Sequence, residues 1–133
     1  MRILVPHILL VEDDAILRAE MCEYLTRRNN SVRACGSVAE ASQALRERQP
    51  DVVVADVNLP DGDGAVFCMA HARQHPKTRW LLMSGDPALV NRSQRLKREP
   101  DAPPFSVMSK PVPMHYVVEF VRLAMMANGN AAT

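Results

Sequence analysis

The stretch "DVVVADVNLPDGDG", residues 51–64, places a single carboxylate directly behind a run of apolar residues. The segment 51–55 contains three consecutive valines, which is typical of a strand buried on both faces of a parallel sheet. Asp56 follows that strand, and the proline and glycines behind it indicate a turn leading into a helix, with Asp61 and Asp63 interpreted as turn residues. A charge at the end of a buried strand is costly, so Asp56 is the first candidate for a functional residue.

Strands and helices alternate along the rest of the chain. Apolar or alternating runs predict strands at 7–11, 31–35, 51–55, 79–83 and 105–108. Apolar periodicity and capping residues, including a capping box of Ser37 and Glu40, predict helices at about 14–28, 37–48, 65–74, 87–99 and around 117–125. This alternation is the pattern of an α/β protein with a five-stranded parallel sheet and helices on both faces. We predict a single domain over 1–133, with its core at about 7–127 and a flexible tail at 128–133.

The composition is that of a globular protein and argues against several functional classes. The 133 residues carry a formal net charge of +1, with 47% hydrophobic and 23% charged residues, so no nucleic-acid surface is indicated. The apolar start of the chain lacks the features of a signal peptide, and no run approaches the roughly 20 apolar residues of a membrane span. We therefore expect a cytoplasmic protein. Three isolated cysteines predict buried free thiols in a reducing compartment: Cys22, Cys35 and Cys68.

Polar side chains follow four of the five predicted strands. In open parallel sheets, ligands bind outside the carboxyl ends of the strands. The residues at those ends are Glu12, Asp13 and Asp14 after the first strand, Asp56 and Asn58 after the third, Ser84 after the fourth and Lys110 after the fifth. The parallel arrangement predicts that these side chains lie along one edge of the sheet.

The chemistry of this set is specific. Two carboxylates about 5 Å apart repel by roughly 3 kcal/mol at an effective dielectric constant near 20, so clustered acids hold protons or bind a cation. An all-oxygen cluster suits Mg²⁺, which typically bridges protein and phosphate. A carboxylate on a rigid strand end can act as a nucleophile, and a hydroxyl and an ammonium beside it would stabilise a transferred phosphoryl group.

Four blocks of sequence resemble the signatures of the response-regulator receiver domain of two-component signalling. They are "ILLVEDD" at 8–14, "DVVVADVNLPDGDG" at 51–64, "LLMSG" at 81–85 and "SKP" at 109–111. The resemblance extends over about residues 7–127. It implies a flavodoxin-like, doubly wound sheet with strand order 2-1-3-4-5. It also implies a signalling switch that catalyses only its own phosphorylation and dephosphorylation, and not a metabolic enzyme.

The resemblance assigns roles to the acidic residues. Asp56 would be the phosphoacceptor, taking a phosphoryl group from a histidine of a sensor kinase or of a histidine phosphotransfer protein. Asp13, Asp56 and the backbone carbonyl of Asn58 would bind Mg²⁺, or alternatively Mn²⁺, with Glu12 acting largely through water.

The remaining roles fall on the fourth and fifth strands. Lys110 would pair with the phosphoryl oxygens, and Ser84 would be the switch hydroxyl that moves towards them and takes the following loop with it. The bond between Lys110 and Pro111 is expected to be cis. Asn58 and Asp86 occupy positions that tune phosphoryl lifetime in this family, and two polar groups there predict fast autodephosphorylation.

Several positions depart from the family pattern. Val107 stands where many receivers carry an aromatic switch residue, and Phe105 is expected to point to the same sheet face as Val107. The segment "REPDAPP" at 98–104 replaces a short stretch of small residues. It belongs to the face of the fourth helix, fifth strand and fifth helix, which is the usual output surface. We expect an unidentified downstream protein, or a homodimer, to use that face, without direct contact to DNA or membrane. The chain ends at Thr133, which indicates a stand-alone receiver or one excised from a larger protein.

Other interpretations fit parts of the pattern. Asp13 or Asp14 can serve simply as a helix N-cap. A calcium loop would use Asp56 and Asn58, but Pro60 occupies the next ligand position. A pseudo-receiver that only binds other proteins, and a phosphatase or phosphotransferase for small substrates, are the alternative functions.

Overall fold

The computed structural model describes residues 4–128. The main strands are β1 (His7–Val11), β2 (Ser31–Cys35), β3 (Val52–Asp56), β4 (Arg79–Ser84) and β5 (Ser106–Ser109). The helices are α1 (Ala15–Thr26), α2 (Val38–Glu47), α3 (Gly64–His71), α4 (Pro87–Leu96) and α5 (Met114–Ala127). A two-residue hairpin, Asn58–Leu59 with Gly62–Asp63, follows β3, and a short 3₁₀ turn, Ala72–Gln74, follows α3. Most of the tail predicted at 128–133, namely 129–133, lies outside the described residues.

The five main strands form one parallel sheet in the order β2-β1-β3-β4-β5. This confirms the predicted fold class and strand order. Alternate residues of each strand point to opposite faces. One face packs against α2, α3 and α4 around Trp80 and Phe67, and the other packs against α1 and α5 around Leu25 and Val121. The sheet is therefore doubly wound, and its three central strands, β1, β3 and β4, are buried on both sides.

Three strands, β3, β4 and β5, end one residue later than the sequence pattern predicted. β3 includes Asp56 and β4 includes Ser84 as their last residues. Both side chains are therefore fixed by the pairing of the sheet, and neither belongs to a free loop. This makes the strand ends a rigid platform for chemistry.

α4 is shorter than predicted, because it ends at Leu96 and not at 99. The next residues form tight turns, with the N–H of Arg98 donating to the carbonyl of Arg95 and that of Glu99 to Leu96. Pro100 comes next, and a proline disfavours helical backbone at the residue before it. The prolines of the "REPDAPP" segment also delay β5, which starts at Ser106.

Helix caps come from nearby and from distant residues. Asp14 caps α1 by accepting the N–H groups of Ile16 and Leu17 at 3.0 and 3.1 Å. In the predicted capping box, Ser37 accepts the N–H of Glu40 at 3.2 Å, while the Glu40 carboxylate accepts from Gly36 instead of Ser37. The capping box therefore forms only in part.

Asp61 and Asp63 do more than form a turn. Asp61 accepts the N–H groups of Val38 and Ala39 at 2.8 and 3.0 Å, at the start of α2. These hydrogen bonds hold the pKa of Asp61 below its ordinary value. Asp63 caps α3 by accepting the N–H of Ala65 at 2.7 Å. The two carboxylates therefore satisfy the first N–H groups of two different helices.

Several smaller expectations can be compared directly with the structure. The peptide bond between Lys110 and Pro111 is cis, as the resemblance implied. Phe105 and Val107 pack against the same hydrophobic cluster, as strand alternation predicted. The three cysteines are free, two of them are buried, and burial raises the pKa of the Cys68 thiol to about 12. Within residues 4–128, no helix is both long and apolar enough to cross a membrane.

Candidate functional site

The carboxyl ends of four parallel strands meet at one edge of the sheet. Glu12 directly follows β1, Asp56 ends β3, Ser84 ends β4 and Lys110 directly follows β5. Glu12, Asp56 and Ser84 are 0%, 6% and 1% exposed. The structure thus gathers the predicted side chains at the edge where open parallel sheets bind ligands.

Three carboxylates form the acidic part of this site. One oxygen each of Glu12, Asp13 and Asp56 lies within 4.8 Å of the other two. Glu12 and Asp56 are buried, whereas Asp13 is exposed. This set consists of hard oxygen ligands with one side open to solvent, so it fits a cation such as Mg²⁺ that keeps several waters. Asn58 donates its N–H to Asp56 Oδ1 at 3.0 Å, which places it beside the cluster, but its carbonyl as a ligand stays a prediction.

Lys110 bridges the two buried acids. Its Nζ lies 2.5 Å from Glu12 Oε1 and 2.6 Å from Asp56 Oδ2. Burial by itself lowers the pKa of Lys110, but the hydrogen bonds to Asp56 and Glu12 outweigh it and the pKa is raised. The ammonium is therefore held in its charged form between two carboxylates.

Glu12 is the most buried acid of the site. Burial raises its pKa, against the opposing hydrogen bonds from Lys110 and from the N–H of Asp14. When Glu12, Asp13 and Asp56 are all ionised, three negative charges face the one positive charge of Lys110, a balance of −2. A divalent cation would neutralise that excess, so charge as well as ligand type fits a metal of charge two.

Ser84 connects the site to α4. Its hydroxyl oxygen accepts the N–H of Asp86 at 3.0 Å, and its carbonyl accepts the N–H of Lys110 at 2.8 Å. Asp86 in turn caps α4 by accepting the N–H of Ala88 at 2.9 Å. Within the described residues, the Ser84 hydroxyl makes no hydrogen bond to Asp56 or to the ammonium of Lys110. It lies one strand away from Asp56, and its role as a switch stays a prediction.

The loop after Asp56 turns tightly against the strand it leaves. The N–H of Gly64 donates to the carbonyl of Val57 at 2.8 Å. A Cβ at Gly64 would overlap the carbonyl oxygen of Asp56 and lie 3.0 Å from its carbonyl carbon. Only glycine allows α3 to start this close to Asp56.

One ion pair beside the site was missed by sequence reasoning. Arg92 of α4 pairs with Asp63, at the end of the hairpin. The two residues are 29 positions apart, and neither local periodicity nor a motif connects them. The ion pair between the helix arginine and the turn carboxylate can be recognised only when the order of the strands, and so the position of α4, is known.

A family model described as the response regulator receiver domain matches residues 8–122. The chain belongs to this family. The matched region contains every site residue of this receiver domain discussed above, from Glu12 at the end of β1 to Lys110 after β5. The interpretation from the four sequence blocks is therefore confirmed at the level of the family.

Curated relatives of the receiver domain are parts of longer regulators. Transcriptional regulatory protein AfsQ1 of Streptomyces coelicolor is 40% identical over 63 residues, 47% of this chain and 28% of AfsQ1. The transcriptional regulator NtrC of Azospirillum brasilense is 25% identical over 91% of this chain and 24% of its own length. TorR of Escherichia coli is 25% identical over 87% of this chain and 48% of its own length. The chain thus spans about a quarter to a half of the length of these relatives.

Solved structures share the receiver fold. A CheY-like receiver domain from Methanospirillum hungatei has a TM-score of 0.83 at 17% identity, covering 95% of this chain and 98% of that chain. A receiver protein from Sinorhizobium medicae has a TM-score of 0.77 at 26% identity, covering 93% and 97%. The BeF3-activated DrrB receiver domain has a TM-score of 0.74 at 21% identity, covering 92% and 99%. These similarities extend over nearly the whole chain and confirm the fold.

Proposed function

We propose that Asp56 of this receiver domain accepts a phosphoryl group from a phosphohistidine of a sensor kinase or of a histidine phosphotransfer protein. The observation that carries this is the environment of Asp56, whose two oxygens receive hydrogen bonds from Lys110 and from the N–H of Asn58. A carboxylate oxygen would attack phosphorus, so that an O–P bond forms as the N–P bond breaks and the imidazole leaves with the electron pair.

The side chains around Asp56 suit this transfer. Mg²⁺, held by Asp13, Asp56 and the Asn58 carbonyl with Glu12 acting through water, would supply positive charge to the phosphoryl oxygens. Lys110 would exchange part of its pairing with Glu12 and Asp56 for the phosphoryl group, because its Nζ already lies 2.6 Å from an Asp56 oxygen. The domain catalyses in this proposal only its own phosphorylation and dephosphorylation.

The phosphoryl group would act as a switch through Ser84. It adds about −1.5 to −2 charges at neutral pH, and a hydroxyl next to it gains a charge-assisted hydrogen bond by donating to it. The Ser84 hydroxyl would then give up its hydrogen bond with the N–H of Asp86, the residue whose carboxylate caps α4. The start of α4 would shift, and with it the α4–β5–α5 face. A downstream protein would recognise that face in the cytoplasm, or a second copy of the domain would.

A direct test uses beryllofluoride, which mimics the phosphoryl group. In ¹⁵N-labelled protein, we expect beryllofluoride with Mg²⁺ to shift the amide signals of Val57, Gly85 and Lys110, and neither component alone to produce the full change. Asp56→Ala is the control and should not respond to beryllofluoride. A wild-type spectrum unchanged by beryllofluoride and Mg²⁺ together would favour the pseudo-receiver, which binds other proteins without phosphorylation.

A second expectation concerns the lifetime of the phosphoryl group. Asn58 is exposed beside Asp56 and free to orient a water molecule, whereas the Asp86 carboxylate is engaged in capping α4. We therefore expect fast autodephosphorylation that depends on Asn58 and hardly on Asp86. Asn58→Ala should lengthen the half-life of the phosphorylated protein several-fold, and Asp86→Asn, which retains the cap, should not. Decay of radiolabelled protein in Mg²⁺ buffer measures this, and a wild-type half-life of many hours would contradict it.

A further inference from the structure

The hairpin that follows Asp56 is held at both of its sides. Asn58 and Asp63 are partners in its antiparallel register, so the backbone that carries Asn58 is fixed relative to Asp63. At the tip, the Asp61 carboxylate accepts two N–H groups at the start of α2. At the base, Asp63 pairs with Arg92 of α4. The hairpin therefore lies between α2 and α4. Its Asp61 carboxylate contacts α2, and its Asp63 carboxylate contacts α4.

The pairing of Arg92 with Asp63 uses one oxygen of the carboxylate. Asp63 Oδ1 caps α3 by accepting the N–H groups of Ala65 and Val66, and Oδ2 is the atom that contacts Arg92 Nη2. The Asp63 side chain is 21% exposed and the Arg92 side chain 42%, so water screens this pair only in part. Within residues 4–128, the buried Nε and Nη2 of Arg92 make no hydrogen bond, so the contact with Asp63 is an ion pair without a hydrogen bond. The positive charge of the guanidinium therefore lies against the base of the hairpin.

α4 consequently contacts the site at two separate points. Its first turn is connected to Ser84 through Asp86, and its middle is connected to the hairpin through Arg92. Two contacts six residues apart fix the direction of the helix as well as the position of its start.

We propose that Arg92 is a positioning residue that holds, through Asp63, the backbone of Asn58 in the place from which its carbonyl binds Mg²⁺. The inference rests on the proposed function, since it takes the Asn58 carbonyl as a ligand. Through Arg92 and Asp63, the position of α4 would affect the geometry of the metal site independently of Ser84. By linkage, a partner that displaces α4 would lower the affinity for Mg²⁺, and bound Mg²⁺ would hold α4 in place.

The experiment is a Mg²⁺ titration of ¹⁵N-labelled protein, followed at the amides of Val57 near the metal and of Gln94 in α4. In the wild type we expect both signals to titrate with one dissociation constant. In Arg92→Gln, the Mg²⁺ dissociation constant measured at Val57 should rise about fivefold, which is at the lower end of typical coupling between two sites. The Gln94 signal should no longer respond to Mg²⁺. Arg92→Lys retains the charge and should restore most of the affinity. Arg95→Gln is the matched control on an exposed position of the same helix and should behave as wild type.

The sign of the effect separates positioning from simple electrostatics. Removing a positive charge near the site would, by Coulomb attraction alone, tighten Mg²⁺ binding in Arg92→Gln, whereas loss of positioning weakens it. Asp63→Asn keeps the helix cap and should weaken Mg²⁺ binding as much as Arg92→Gln does. The double variant should bind Mg²⁺ no more weakly than either single variant. Tighter or unchanged binding in Arg92→Gln, or additive losses in the double variant, would overturn the inference. A wild type that binds no Mg²⁺ would overturn the proposed function as well.

Discussion

Asp56→Asn is expected to abolish phosphorylation completely. Asn has the shape of Asp but its amide is not a nucleophile at neutral pH, so the oxygen that would attack phosphorus is lost. The fold should persist, because the Asn side chain can still accept one hydrogen bond and Lys110 retains its contact with Glu12 at 2.5 Å. Transfer of radiolabel from a phosphorylated histidine phosphotransfer domain to the purified protein measures the effect.

Asp61→Asn is the matched control for this experiment. Asp61 lies five residues after Asp56 in the same loop, is exposed, and caps α2 by accepting backbone N–H groups. Asn retains one of the two accepting oxygens, and neither hydrogen bond of Asp61 involves Asp56, so labelling should equal that of the wild type. Labelling of Asp56→Asn at the wild-type level would show that another residue accepts the phosphoryl group.

Gly64→Ala is expected to lower the free energy of unfolding by about 2 kcal/mol, within the usual range for overpacking. The new Cβ would overlap the backbone carbonyl of Asp56 and lie 3.1 Å from the Cα of Val57. These neighbours are backbone atoms of a buried strand end, so neither can rotate away. The higher helix propensity of Ala adds at most about 1 kcal/mol in favour of the variant, which is too little to compensate. Urea unfolding measures the difference.

Gly85→Ala is the control for Gly64→Ala. At Gly85 the nearest heavy atom to an added Cβ is the Cβ of Lys110 at 4.0 Å, an ordinary contact. We expect the free energy of unfolding of Gly85→Ala to differ from that of the wild type by less than about 0.5 kcal/mol. Gly64→Ala should also weaken Mg²⁺ binding, because relief of the overlap displaces Asp56 itself. Equal stability of the two variants would contradict the close approach of α3 to β3.

The strand ends could be predicted because local signals define them. The buried run at 7–11 coincides with β1, and the run at 51–55 differs from β3 by one residue. The rule that parallel strands present their carboxyl ends at one edge then brings Glu12, Asp56 and Lys110 together without further information. The family resemblance assigned Lys110 to the phosphoryl oxygens, and its contacts with the Glu12 and Asp56 carboxylates were not predicted.

The supports of the site could not be predicted, because they join residues that are distant in sequence. Asp61 and Asp63 look like ordinary turn residues next to glycines, and only the packed structure shows that one caps α2 and the other pairs with Arg92. The end of α4 was placed too late because its polar face carries weak periodicity. The contacts of Asp61 and Asp63 depend on the positions of neighbouring helices, which local patterns do not contain.

Mass spectrometry of the wild-type protein after incubation with acetyl phosphate tests the central claim most directly. With borohydride added to trap the acyl phosphate before it hydrolyses, peptide mapping should find a modification at Asp56 alone, formed in the presence of Mg²⁺ and absent when the metal is chelated. No phosphoryl group on Asp56 in Mg²⁺ buffer, with the fold intact, would contradict the account and leave a receiver fold that acts only by binding other proteins.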